Sequence, residues 1–186
     1  MVKERFARLI LLLALLCLLP SVQAEPRFPH ELAVDQHKLS RCSQAELKAY
    51  RLIHVGYAAL YLPDCKQLQE ILKPIPKRMR FLYERAIPAH AFRESSEQYL
   101  KLNLAAKYSD WQAVFAKFNS AYRDVDKGDT YELIYSPDRG LQLLLNSSLL
   151  ATLDNPEQAL AYFSIWFGEE PFSETLKTDL LSPETG

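Results

Sequence analysis

The stretch Thr130–Leu145, TYELIYSPDRGLQLLL, decides the fold class. Two apolar runs, Thr130–Tyr135 and Leu141–Leu145, flank Ser136-Pro137-Asp138-Arg139-Gly140. Proline fixes φ, aspartate bonds its own backbone and glycine accepts positive φ, so these residues make a hairpin turn. Two antiparallel strands are predicted, and Leu149–Leu153 reads as a further short strand.

Upstream lies the clearest helix, Asp110 to about Val125. Trp111, Val114, Phe115, Phe118, Ala121, Tyr122 and Val125 recur at helical spacing and share one apolar face, read as core. Ser109 suits the N-cap, Gln112 completes a capping box and Gly128 is the expected stop. A helix over Ala89–Leu104 precedes it. Before that, Lys77–Ile87 reads as a strand closed by Pro88. Met79, Phe81, Tyr83, Arg85 and Ile87 share one face, while Arg78, Arg80 and Glu84 take the wet one. Lys66–Lys73 reads as a short helix ended by Pro74 and Pro76. Leu47–Leu62 is one long strand or two joined at Gly56, and Leu32–Leu39 is a short strand. Residues 25–31 form a lead-in.

Downstream, Asn155-Pro156 opens a helix with a capping side chain and proline at the first position. It runs through Phe163, Trp166 and Phe167 to Gly168 and is apolar on most sides, so deep burial is expected. Ser173–Leu181 is a final short helix. Strands, helices, strands, helices in that order predict an α+β domain, an antiparallel sheet with helices on one face.

The amino terminus reads as an export signal. Lys3, Arg5 and Arg8 precede an unbroken apolar run, Leu9–Leu19. Pro20 and Ser21 end that run, and Val22-Gln23-Ala24 places small residues at a cleavage site. The run is about half the roughly 20 residues of a membrane span. A lipid anchor at Cys17 is disfavoured by bulky Leu16. Residues 1–24 are therefore expected to be removed, leaving 25–186 as one domain in the periplasm. Cys42 and Cys65 remain, an even pair in an oxidising compartment. A disulfide between them would stabilise the fold by about 3 kcal/mol.

Composition excludes several chemistries. The 22 basic and 23 acidic residues leave no basic stripe, which argues against nucleic acid as a partner. The five glycines are scattered, so no phosphate-cradling loop or dinucleotide fingerprint exists. His30, His37, His54 and His90 lack metal-ligand spacing, and the cysteines form no CxxC. No cofactor or metal is expected. His54 reads as an ordinary partly buried histidine or a base. Arg85 either snorkels to water or holds an acidic ligand group.

Three segments together resemble bacterial exported proteins of the chalcone isomerase-like family. They are Val55–Pro63 (VGYAALYLP), Arg85–Pro88 (RAIP) leading into a helix, and Ala161–Phe172 (AYFSIWFGEEPF) followed by Leu176–Leu181 (LKTDLL). The order and spacing match over most of residues 32–182. The resemblance implies an open-faced β-sandwich, a curved antiparallel sheet under a layer of helices with a ligand cleft between them. In plants this fold serves enzymes that cyclise chalcones and proteins that bind fatty acids. The enzymes' arginine and threonine positions fall on Gln44 and Gly56, which carry neither charge nor hydroxyl. Their tyrosine and asparagine positions fall on Phe92 and Tyr99 in one register, and on Tyr99 and Ala106 in another. Chalcone cyclisation is therefore not expected.

The resulting expectation is a non-catalytic protein that binds a small apolar ligand, a fatty acid first. Tyr50, His54 and Tyr99 would line the cleft, and Arg85 would meet a carboxylate. Two alternatives stand beside it. One is an isomerase or lyase on an unsaturated carbonyl compound, with Tyr99 or His54 as general acid. The other is an envelope interaction module without a small ligand.

Overall fold

The computed structural model describes residues 27–49 and 52–183. The segment read as an export signal and Tyr50 lie outside them. Seven strands pair antiparallel in chain order: β1 Glu31–Val34, β2 His37–Ala49, β3 Ile53–Leu62, β4 Lys77–Tyr83, β5 Thr130–Ser136, β6 Gly140–Leu145 and β7 Ser148–Leu153. The sheet curls into a half-barrel. Bulges at Cys42 on β2 and at Val55 on β3, opposite Leu47 and Lys48, sharpen its twist. Helices α1 Ala89–Leu104 and α2 Ala106–Asn119 are inserted between β4 and β5. Helices α3 Pro156–Tyr162, α4 Ser164–Phe167 and α5 Glu174–Leu180 follow β7.

Alternation along the strands separates two faces. On the inner face Ala58, Leu60, Leu62, Met79, Phe81, Tyr83, Tyr131, Leu133 and Tyr135 pack against the helices in one core. The outer face carries a smaller cluster of Phe28, Val34, Leu39, Ala59 and Tyr61. Residues ahead of β1 cover part of it. Phe28 is buried there, and the Tyr61 hydroxyl donates to the Pro29 carbonyl at 2.9 Å. Nearby, Arg78 pairs with buried Glu132. Among the described residues no helix is long and apolar enough to cross a membrane.

The hairpin that decides the fold class forms as its turn chemistry predicts. Arg139 N–H bonds the Ser136 carbonyl at 3.3 Å. Gly140 has φ +71°, and a Cβ there would lie 2.0 Å from the Leu153 carbonyl oxygen. Asn155 caps α3 by accepting from the Glu157 and Gln158 amides, and Ser173 caps α5.

Several boundaries differ from the sequence reading. The strand expected over Leu32–Leu39 is a β1–β2 hairpin turning at Asp35, whose φ is +53°. The long Leu47–Leu62 segment is the end of β2 plus β3, and Gly56 sits inside β3 rather than at a joint. The helix expected from Asp110 begins at Ala106, so Ser109 lies within it and Ala105, at φ +47°, separates it from α1. It stops at Asn119, well short of Gly128, because the chain turns to pair Val125 with Ile87. Ala121, Tyr122 and Val125 reach the core from that turn. The helix expected from Asn155 to Gly168 divides at Phe163.

Candidate ligand site

The inner face meets α1 in a box of aromatic rings. Phe92, on the first turn of α1, is half-buried. It stacks on Tyr122 at 5.4 Å between ring centroids. It meets Tyr83 and Tyr131 edge-on at 5.5 and 5.2 Å. Each ring comes from a different place: β4, the turn after α2, β5 and α1. Such edge and offset contacts hold the rings in fixed relation and present apolar faces with polar rims. Trp166 on α4 extends the layer, 5.5 Å from Phe81 and 6.1 Å from Tyr162.

A buried polar hub lies beside the box. The Tyr162 hydroxyl sits 2.7 Å from Asn119 Oδ1, 3.2 Å from Ser96 Oγ and 3.1 Å from the Tyr122 hydroxyl. These groups satisfy one another away from water, joining α1, α2 and α3. Desolvation pushes the Tyr122 phenol up to about 12 and Tyr162 well above its ordinary value. Both stay protonated near neutrality, so the hub offers neutral hydrogen bonds and no base.

Toward the end of α1 the half-buried Tyr99 meets Phe172 edge-on at 5.7 Å. Asn103 holds the adjoining loop in place. Its amide donates to the Glu170 carbonyl at 2.7 Å, and its Oδ1 accepts from the Glu170 amide at 3.0 Å. Gly168 passes so close that a Cβ there would lie 2.0 Å from Asn103 Oδ1.

The residues singled out in the sequence do not converge. Tyr99 packs with the inner core. His54 is on the outer face, clamped between Glu46 and Glu84 at 2.8 Å on either ring nitrogen and edge-on to Tyr57. It is turned away from the helices. β4 ends at Tyr83, two residues before Arg85, and that side chain is exposed rather than part of the apolar row. Gln44 is exposed, and a Cβ at Gly56 would lie 2.0 Å from the Leu82 carbonyl oxygen at a φ of +155°. No side chain fits at Gly56, so neither position supplies a polar group to the interior. Cys42 and Cys65 are bonded, joining β2 to the 3-10 helix Cys65–Glu70.

Lys77 was missed. It opens β4 on the inner face and is fully buried. Its ammonium donates to the Lys73 carbonyl at 2.7 Å and lies over the rings of Tyr135 and Phe163 at 4.7 and 5.2 Å. Desolvation brings its pKa down to about 7. The signal available in the sequence was parity: Lys77 shares the period of Met79, Phe81 and Tyr83.

A curled antiparallel sheet with an aromatic inner face under a helical layer defines the class as an α+β half-barrel. The profile of the chalcone isomerase-like family matches residues 25–182, and the chain belongs to that family. Among solved structures, a fatty-acid binding protein of Arabidopsis thaliana aligns with a TM-score of 0.60 at 18% identity. The alignment covers 86% of this chain and 95% of that one, and at this identity it establishes the shared fold. No curated protein sequence matches the chain significantly.

Proposed function

We propose that this protein is a non-catalytic binder of a small, largely apolar ligand, a fatty acid being the first candidate. The ligand lies between the inner face of the sheet and α1. The observation that carries this reading is the box of Phe92, Tyr83, Tyr122 and Tyr131 beside a neutral, self-satisfied polar hub. Such a lining gives apolar contact with few polar anchors, which suits a lipid-like molecule. The positions that serve charge stabilisation in chalcone cyclisation are an exposed glutamine and a glycine with no room for a side chain. The structurally similar Arabidopsis protein is named as a fatty-acid binder, which supports the same ligand class. The protein is further proposed to act in the periplasm after removal of residues 1–24. The basic, apolar and small pattern of those residues supports this.

Trp166 provides the test, since it packs on Phe81 and Tyr162 at the site. In a Trp111→Phe background, titration with palmitate should change Trp166 emission saturably, and Phe92→Ser should weaken that response. A flat titration would count against ligand binding. For location, the intact mass of the cell-fractionated protein should correspond to a chain starting at Glu25. A full-length mass in the cytoplasm would count against export.

A further inference from the structure

We propose that Lys77 and Tyr135 form the head-group end of the ligand site and receive a carboxylate. This rests on the ligand-binding reading above and specifies the ligand as a monoanion with a long apolar tail.

Lys77 and Tyr135 are register partners on β4 and β5, and both face the inner core. Among the described residues, Lys77 is the fully buried charged side chain on this face, and the other buried charge, Glu132, lies on the outer face. An ammonium has three protons to donate. Lys77 Nζ donates to the Lys73 carbonyl, and its other near neighbours given by the structure are two ring faces. The Tyr135 hydroxyl is buried and has no hydrogen-bond partner. The buried phenol therefore lacks a partner, and beside it the buried ammonium has a protein acceptor for one of its three protons, so both carry a desolvation cost. A carboxylate supplies the missing acceptors. One oxygen accepts from Nζ and the other from the phenol, and the charge-assisted bond strengthens where water is excluded.

In this proposal the tail lies along the inner-face row of β4. Met79, Phe81 and Tyr83 continue the inner-face row from Lys77 toward Phe92. Six steps of about 3.3 Å separate Lys77 from Tyr83, a run of roughly 20 Å, the scale of a long acyl chain. The one buried cation among the described inner-face residues matches one negative charge better than a phosphate dianion, and the surrounding rings favour an apolar tail over a sugar. Arg85, exposed beyond the opposite end of β4, is not at this site.

The experiment compares palmitate with hexadecanol on delipidated wild-type protein, Lys77→Met and Tyr135→Phe. Lys77→Met should weaken palmitate by about tenfold or more, as loss of a hydrogen bond to a charged group does. Hexadecanol binding should hardly change. Tyr135→Phe keeps the ring and should weaken palmitate in the same sense by less, an independent check at the second donor. Thermal unfolding followed by circular dichroism checks the fold of each variant. Unchanged palmitate affinity in both variants, or equal weakening of acid and alcohol, would overturn the head-group assignment while leaving ligand binding intact. A wild-type protein that binds neither would remove both readings together.

Discussion

The buried lysine of the proposed head-group end also bears on the stability of the fold. Lys77 titrates at about 7 in the folded chain against an ordinary value of 10.5, because burial disfavours the charged form. Below pH 7 both folded and unfolded chains hold the proton, and the folded state bears the full desolvation cost. As pH rises past 7 the folded chain releases it first, so stability climbs until about 10.5 and then levels. Lys77→Met should therefore raise the midpoint of thermal unfolding most below pH 7, by a stabilisation on the order of a few kcal/mol. The gain should shrink toward pH 10. A gain independent of pH would show that Lys77 is charged throughout the range. At this scale the sequence was partly legible. Tyr99, expected to line a cleft, is partly buried and packs against the inner core. His54 was misassigned to the cleft because the face of a residue near a bulge cannot be counted by twos, and a register shift lies between Leu47 and Lys48 opposite it. The Tyr162 hub joins residues 66, 43 and 40 positions apart, a convergence that local pattern does not encode.

The elements were most legible where turn and cap chemistry is local. The Ser136–Gly140 hairpin, the Asn155 cap and the extent of α1 all follow from nearest neighbours in sequence. They failed where tertiary contacts override periodicity. Tyr122 keeps helical spacing with Phe118, yet it sits in a turn because its hydroxyl meets Tyr162 and its ring stacks on Phe92. The disulfide acts at this level too. It pins β2 to the 3-10 helix after β3, closing a loop with a sequence separation of 23. Reduction should lower stability by about 3 kcal/mol, seen as a lower urea midpoint with reductant than without. Equal midpoints would mean that the denatured chain gains nothing from the cross-link.

The whole molecule is a meander of seven strands whose inner face is roofed by two separate sets of helices. That arrangement was readable from the order of elements and from three segments resembling one family, whose profile spans residues 25–182. The candidate site was less readable, since it depends on which strand face each side chain takes and on rings brought together from four elements. The central claim is that the inner face holds an apolar ligand. Native mass spectrometry of the protein purified without detergent, before and after solvent extraction, tests it most directly. The expected result is an adduct of a few hundred daltons that is lost on denaturation and identified as a fatty acid or related lipid. An unadorned mass that stays unchanged when palmitate is added would contradict it.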